Sequence, residues 1–390
     1  MSEFQAWLLS HGETGWHWLV KRLAANDTHA TGSNQVGPYI PNRDAFALFP
    51  TLLGSEDPNP KILIEGVIDS HGTPNMELAV TWYRAKKNEC HLTRWGGRSS
   101  PILDPDATGS VVVFAFRKES EAVDADFVAV WICNLEEEEH LVDQVGPIEP
   151  GRPLSVSHRA SSIVSSESPD EWEDKSIPEA WRIDFPSGEQ IISKCIHLER
   201  MTGQEADKRL LRRRNCEFSL FRSIEAFHVL PKLREGFQSV DDFISYSNSV
   251  NNRRKSRSGK SLELHVKAIL REEGIPFSHN EISEDNKRPD FLIPSAKAYH
   301  ENRPPLWMLA TKTTCKDRWR QVLNEADGIP RKHLLTLQEG ISENQFKEMR
   351  SAGLTLIAPR PLHERYPSSI RSQLKSVEDF IAIVRAGLQV

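Results

Sequence analysis

Asp290, Lys312 and Glu325 are the residues of this chain whose types and spacing could do chemistry together. Asp290 follows Pro289 and opens the apolar run Phe291-Leu292-Ile293, Lys312 closes the next β-like run, and Glu325 lies thirteen residues beyond the lysine. A carboxylate and a lysine on successive strands suit metal-assisted phosphodiester hydrolysis. Mg²⁺ takes hard oxygen ligands, and an ammonium nearby can orient water or neutralise charge developing on the phosphoryl group. Such sites commonly carry a second acid two residues before the lysine. Here that position is Ala310, which cannot bind a metal. The missing carboxylate must come from elsewhere, and Glu325 is placed to supply it. Asp290 and Glu325 are therefore the expected Mg²⁺ ligands, with Lys312 between them. Each residue alone also fits a plainer role, as turn acid, strand lysine or surface acid; the combination points to catalysis.

The elements that must position these groups can be read from the same stretch. Trp307 to Thr313 is rich in residues that suit a sheet, which puts Lys312 near a strand end. Asp317 to Asp327 has helical spacing and stops at Gly328 and Pro330. Arg318, Val322 and Glu325 then share one helix face. One helix would read bases at its start and hold metal at its end. Lys316-Asp317-Arg318 supplies donor, acceptor and donor, an order that suits the edges of C·G pairs. Upstream, the pattern predicts helices over Lys208–Leu230 (ended by Pro231), Val240–Ser247 (capped by Ser239) and Leu262–Glu273 (closed by Gly274). Arg253, Arg254 and Lys260 are expected phosphate contacts, which set affinity more than sequence choice. With an apolar strand at Leu354–Ala358, these elements make an α/β core with a mixed sheet.

Residues 1–160 read differently. A short amphipathic helix opens on Phe4, Trp7 and Leu8, and Trp18–Leu23 continues a helical pattern. Lys61–Ile68, Ala79–Tyr83, Ser110–Phe116 and Phe127–Cys133 are short β-rich runs separated by turn residues. That spacing suits a small barrel or sandwich. A linker is expected over 161–180, whose first sixteen residues are rich in Ser and acid. Two domains, 1–160 and 181–390, agree with a length of 390 residues, too long for one ordinary core.

The net charge of −6 taken whole argues against a nucleic-acid partner, but its distribution does not. Acid concentrates in Glu136–Glu139 and Glu167–Asp174, whereas residues 251–260 carry five cations and no acid, and Arg212–Arg214 form a second basic cluster. Phosphate attraction acts within a Debye length of about 10 Å, so local patches decide. The five cysteines have no C-x-x-C spacing, and Cys90-His91 lacks a second pair for zinc. They are expected as buried or free thiols in a reducing cytoplasm. The first twenty residues lack the features of a signal peptide, and no apolar run reaches the ~18 residues a membrane span needs.

Long unusual strings carry a family resemblance. Asn251 to His265, Thr313 to Arg320 and Leu323 to Asp327 resemble the EcoRII family of restriction endonucleases, as do Lys21-Arg22-Leu23, Ala25-Asn26-Asp27-Thr28 and Tyr39-Ile40-Pro41. The resemblance spans nearly the whole chain. It implies an N-terminal B3-like pseudobarrel that binds effector DNA and a C-terminal restriction-endonuclease-like domain of the PD-(D/E)XK type. It also implies a Mg²⁺-dependent homodimer cutting double-stranded DNA at a CCWGG-like site, activated by a second site and otherwise held back by its N-terminal domain. A host cytosine methyltransferase is expected as a genetic companion, not as a bound partner. Glu263 resembles a family position close to the metal, where an acid can orient a bound water. Arg214 and Phe218 resemble the pair that sandwiches a flipped base, and stacking of that kind tolerates A or T. Lys21, Arg22, Asn34, Tyr39, Arg94 and Arg98 are the effector-DNA candidates, the last two in a loop whose Gly96-Gly97 permits close backbone approach. The chain departs from the family where two expected cations become Cys90 and His91, which predicts weaker effector binding. A DNA-binding regulator with an inactive nuclease-like domain is the rival reading. The intact Asp290, Lys312 and Glu325 weigh against it.

Overall fold

Short apolar runs fold the N-terminal part into strands, and those at Val111–Arg117 and Phe127–Ile132 are nearly all apolar because both of their faces are covered. In the computed structural model, which describes residues 1–32, 37–85, 87–120, 123–157, 177–199 and 203–389, these strands are β1 (Trp16–Arg22), β2 (Tyr39–Ile40), β3 (Lys61–Ile68), β4 (Met76–Tyr83), β5 (Glu89–Thr93), β6 (Val111–Arg117), β7 (Phe127–Ile132) and β8 (Leu154–Ser157). They form one mixed sheet in the order β2-β5-β4-β3-β7-β6-β1-β8, with β3 and β7 parallel. Period-2 alternation sends Leu19, Val112, Phe114, Phe116, Val128 and Val130 into one core. Trp18, Val20, Val111, Val113, Ala129 and Trp131 enter a second core, under Phe4, Trp7 and Leu8 of the opening helix and Leu141. Trp18–Leu23, expected as helix, is therefore mostly strand β1. A strand buried on both sides shows no polar alternation to distinguish it from a buried helix.

The C-terminal part is a three-layer α/β sandwich. Strands β9 (Ser278–His279), β10 (Phe291–Ile293), β11 (Trp307–Lys312), β12 (Lys332–Thr336) and β13 (Leu354–Ile357) lie in the order β13-β12-β11-β10-β9. The β11–β12 and β12–β13 pairs are parallel and the β10 pairings antiparallel, giving the mixed sheet expected. One face packs on the helices Ala206–Glu235, Val240–Glu272 and Val377–Leu388 through Leu262, Val266, Ile269 and Phe380. The other packs on Trp319, Val322, Phe346 and Met349.

Several helix boundaries differ from expectation. Pro231 lies inside the Ala206–Glu235 helix and does not end it. Val240–Ser247 and Leu262–Glu273 are the two ends of one helix, Val240–Glu272. Its polar middle stays helical because acids on neighbouring elements pair with its cations: Arg254 with Glu225 through two bonds of 2.7 Å, and Lys255 with Asp143 at 2.6 Å. The helix expected over Asp317–Asp327 is only Trp319–Val322. Ala326 takes φ +49, a left-handed conformation that no helix continues through. Of the expected linker, 161–176 lies outside the described residues. Of residues 177–180, Ile177 is buried and a short helix begins at the exposed Glu179. The five cysteines are free and buried, and no described helix is long and apolar enough to cross a membrane.

Candidate active site and DNA-reading segment

Asp290 stands just before β10, and its carboxylate is fixed by the neighbouring strand. Thr311 gives Asp290 Oδ2 two hydrogen bonds, from its N–H at 2.6 Å and its hydroxyl at 2.8 Å. Burial pushes the Asp290 carboxyl above its usual range. The Thr311 bonds and the Lys312 ammonium oppose that rise, and Glu263 adds to it. Glu325 faces the same place. Its carboxyl is driven to about 7, first by burial and then by the Asp290 charge, with Lys312 and Lys332 acting against both. Glu325 Oε2 is buried and finds no hydrogen-bond partner in the structure. Two acids close enough for the charge of one to raise the other, one with an orphaned oxygen, fit a cation of hard-ligand preference. No group of three or more His, Cys, Asp or Glu that could hold a metal occurs among the described residues. One or two carboxylates are what Mg²⁺ ordinarily takes from protein.

Glu263 reaches this region from the Val240–Glu272 helix. His279 Nε2 lies 2.5 Å from Glu263 Oε1, and Asn280 donates to the same oxygen at 2.6 Å. Thus Asp290, Lys312, Glu325 and Glu263 converge from two strands, a bend and a helix. Glu325 does so without the long helix expected for it. The bend after Trp319–Val322 carries it there.

The expected base-reading residues follow β11 directly, and N-terminal-domain atoms hold both cations. Lys316 Nζ donates to Ser110 Oγ, and Arg318 Nη2 lies 3.4 Å from Glu138 Oε1. Burial lowers the Lys316 ammonium from its usual range. Asp317 is exposed. Arg214 and Phe218 sit one turn apart on the Ala206–Glu235 helix. They too are covered from the N-terminal side. Arg214 donates to Ser261 Oγ and to Glu149 Oε2, the latter at 3.1 Å, and the Arg152 guanidinium lies 3.7 Å from the Phe218 ring centroid. Arg257 joins the cluster, bonding Glu149 and Glu217. Burial alone would raise the Glu149 carboxyl, but Arg257, Arg214 and Arg152 outweigh it and hold it at about 2.

Of the phosphate candidates, Lys260 is exposed, Arg254 pairs with Glu225, and Arg253 lies over Phe185 at 4.6 Å. Among the effector candidates, Arg94 pairs with Glu77 at 2.7 Å and Arg98 is exposed. Lys21 is buried against Asp27 at 2.7 Å, Arg22 is buried on Glu138, and Tyr39 is half-buried. Asn34 lies outside the described residues. Sequence reasoning missed Glu138, Glu149, Arg152 and Thr311. The one local signal was the stiff stretch Pro147-Ile148-Glu149-Pro150-Gly151-Arg152-Pro153, whose prolines restrict the turn that presents Glu149 and Arg152.

Two family models match the chain: "Restriction endonuclease EcoRII, N-terminal" over 12–159 and "EcoRII C terminal" over 221–381. The Type II restriction enzyme EcoRII of Escherichia coli is 40% identical over 395 aligned positions, covering 98% of this chain and 97% of its own. The Type II restriction enzyme SsoII of Shigella sonnei is 27% identical over 117, covering 27% of this chain and 37% of its own. Among solved structures, a complex of the restriction endonuclease PspGI with substrate DNA aligns with a TM-score of 0.44 at 16% identity, covering 57% of this chain and 99% of that one. With both family models matched and the Escherichia coli relative aligned over nearly its full length, the chain belongs to the EcoRII family of Type II restriction endonucleases.

Proposed function

We propose that this chain cuts both strands of DNA at a CCWGG-like site with Mg²⁺, as a cytoplasmic homodimer whose N-terminal domain, a B3-like pseudobarrel, binds a second copy of the site. Asp290 and Glu325 would hold the ion, which when bound stabilises negative charge building on the phosphoryl oxygens. Lys312 places an ammonium beside both carboxylates. Glu263, held by His279 and Asn280, can accept a proton or orient water next to them. The observation that carries this reading is the orphaned, buried Glu325 oxygen facing Asp290 and Lys312. Digestion of plasmid DNA with and without Mg²⁺, followed by sequencing of the ends, tests it. Discrete ends that require Mg²⁺ and share a CCWGG-like sequence are expected. Uncut DNA, or ends at random sequence, would sink it.

The dimer reading draws support from the tip where the two long helices meet. Phe227, Leu230, Leu233, Val240, Phe243 and Ile244 are exposed there to between 37% and 73%. Apolar groups gathered on one helical hairpin suit burial by a second copy. Autoinhibition draws support from the contacts of Glu138, Ser110 and Glu149 with Arg318, Lys316 and Arg214. These three cations, two in the proposed reading segment and one in the proposed base pocket, are each held by an N-terminal-domain residue. An effector duplex would act by preferring the undocked state, and it can shift the balance only by that difference in affinity.

A further inference from the structure

We infer that Gln338 is a positioning residue for sequence choice, holding the reading segment Lys316–Arg318 to the strand end that carries Lys312. The inference rests on the proposed reading role of that segment. Lys312 and Thr336 are register partners at the ends of parallel strands β11 and β12. Beyond them both chains leave the sheet, and Gln338 bridges the gap. Its Oε1 accepts the N–H of Cys315 at 2.9 Å and of Lys316 at 3.0 Å, while its Nε2 donates to Gly340 O at 2.9 Å. Two donors at one end of the carboxamide and an acceptor at the other leave its orientation no alternative. Its own backbone is tied down as well: its N–H donates to Thr336 Oγ1, and its carbonyl accepts the Tyr366 hydroxyl at 2.8 Å. Gln338 is 1% exposed, and Tyr366 is fully buried.

Other bonds fix the same segment. Thr336 Oγ1 donates to Thr313 O, and Gln345 Nε2 donates to Lys316 O at 2.8 Å. Lys316 is thus held at both its N–H and its carbonyl by side chains from outside the segment. Base-edge recognition depends on placing donors to within fractions of an ångström, and a segment with no long helix of its own cannot supply that rigidity. A buried carboxamide anchored to β12 supplies it, so the reading groups and the Lys312 strand move as one piece.

The test compares full-length Gln338→Met, which keeps volume and deletes the hydrogen bonds, with Gln338→Glu, whose acid keeps an acceptor for the two N–H groups. The readout is the ratio of kcat/KM on the wild-type target to that on duplexes changed at one base pair. Gln338→Met should lower this preference by about tenfold or more, the scale of one good base contact, and Gln338→Glu should keep it to within about threefold. Thermal melting checks the fold. If Gln338→Met does not fold, Gln345→Met, which removes one bond from a half-buried residue, should show the same loss in smaller measure. Arg318→Ala is the control: unchanged preference there means that the reading role itself is wrong. A lowered preference in Arg318→Ala with an unchanged one in Gln338→Met, or equal slowing on all duplexes, overturns the role of Gln338.

Discussion

The Arg152 guanidinium lies 3.7 Å from the centroid of the Phe218 ring, joining a turn of the N-terminal domain to the longest helical layer of the nuclease domain. A guanidinium is planar and delocalised and stacks on aromatic rings much as a base does. If Phe218 receives the flipped base, Arg152 occupies that position in the resting chain. Glu149 meanwhile occupies Arg214 and Arg257. Arg152→Ala should therefore lower the effector concentration needed for half-maximal cleavage. With 2-aminopurine at the central position, wild type plus effector should give a fluorescence rise that Phe218→Ala does not. An Arg152→Ala titration identical to wild type would remove this contact from the docking balance.

Substitutions at the metal and lysine positions should separate chemistry from binding. Asp290→Ala, Lys312→Ala and Glu325→Ala should each slow cleavage by about 10²–10³ or more, since each removes charge from the reacting phosphate's surroundings. Gel-shift affinity for target DNA should persist. Near-normal cleavage by Glu325→Ala would mean that the acid absent at Ala310 is supplied by another residue.

Glu325 also predicts how stability depends on pH. Its carboxyl titrates at about 7 in the folded chain against an ordinary 4.5. Between those values the folded state holds a proton that the unfolded state has lost, so stability falls as pH rises through this window. In metal-free protein the cost above pH 7 is on the order of 3 kcal/mol. Mg²⁺ should raise the melting temperature more at pH 8 than at pH 5.5, because it stabilises the ionised pair. Glu325→Gln should abolish the difference. Equal Mg²⁺ shifts at both pH values, in wild type and variant alike, would place the ion elsewhere.

The mixed α/β architecture was legible in the sequence, because apolar strand runs are local features, and the spacing of Asp290, Lys312 and Glu325 is local too. Position of the acids proved easier to read than the elements that carry them. Trp18–Leu23 looks helical because both faces of the strand it mostly forms are buried. The stretch to Glu325 looks helical because the break after Val322 is a backbone turn, completed by the left-handed Ala326, that leaves no Gly or Pro before Gly328. The sequence pattern assigns helix only to the two ends of Val240–Glu272 because the acids that neutralise its middle cations, such as Glu217, Glu225 and Asp143, lie on other elements. Distance along the chain hides the docking contacts. Glu149 and Arg214 are 65 residues apart, and nothing local to either announces the pair.

The docking contacts make the last prediction, which concerns removal of the N-terminal domain. Deleting residues 1–175 takes away Ser110, Glu138, Glu149 and Arg152 at once, uncovering Lys316, Arg318 and Phe218 and leaving Arg214 only its partners Ser261 and Glu217. The nuclease sheet keeps its own helical layers and cores, so the remainder should fold and, on the dimer reading, pair through the same helical hairpin. Docking is an equilibrium, and the truncated chain behaves as one in which the open state is the only state. It should cut single-site DNA faster than the full-length enzyme. The full-length enzyme should cut such DNA slowly and speed up when a short duplex carrying the site is added. On the expectation that Cys90 and His91 replace cations of the effector-contact segment, the duplex should be needed at higher concentration, and its effect should fall less steeply with salt. Cys90 is buried and His91 half-buried beside Tyr39, so neither replaces the lost charge at the surface. Equal rates for truncated and full-length protein on single-site DNA, with no response to added duplex, would show that the contacts of Glu138, Glu149 and Arg152 hold the domains together without restraining the nuclease.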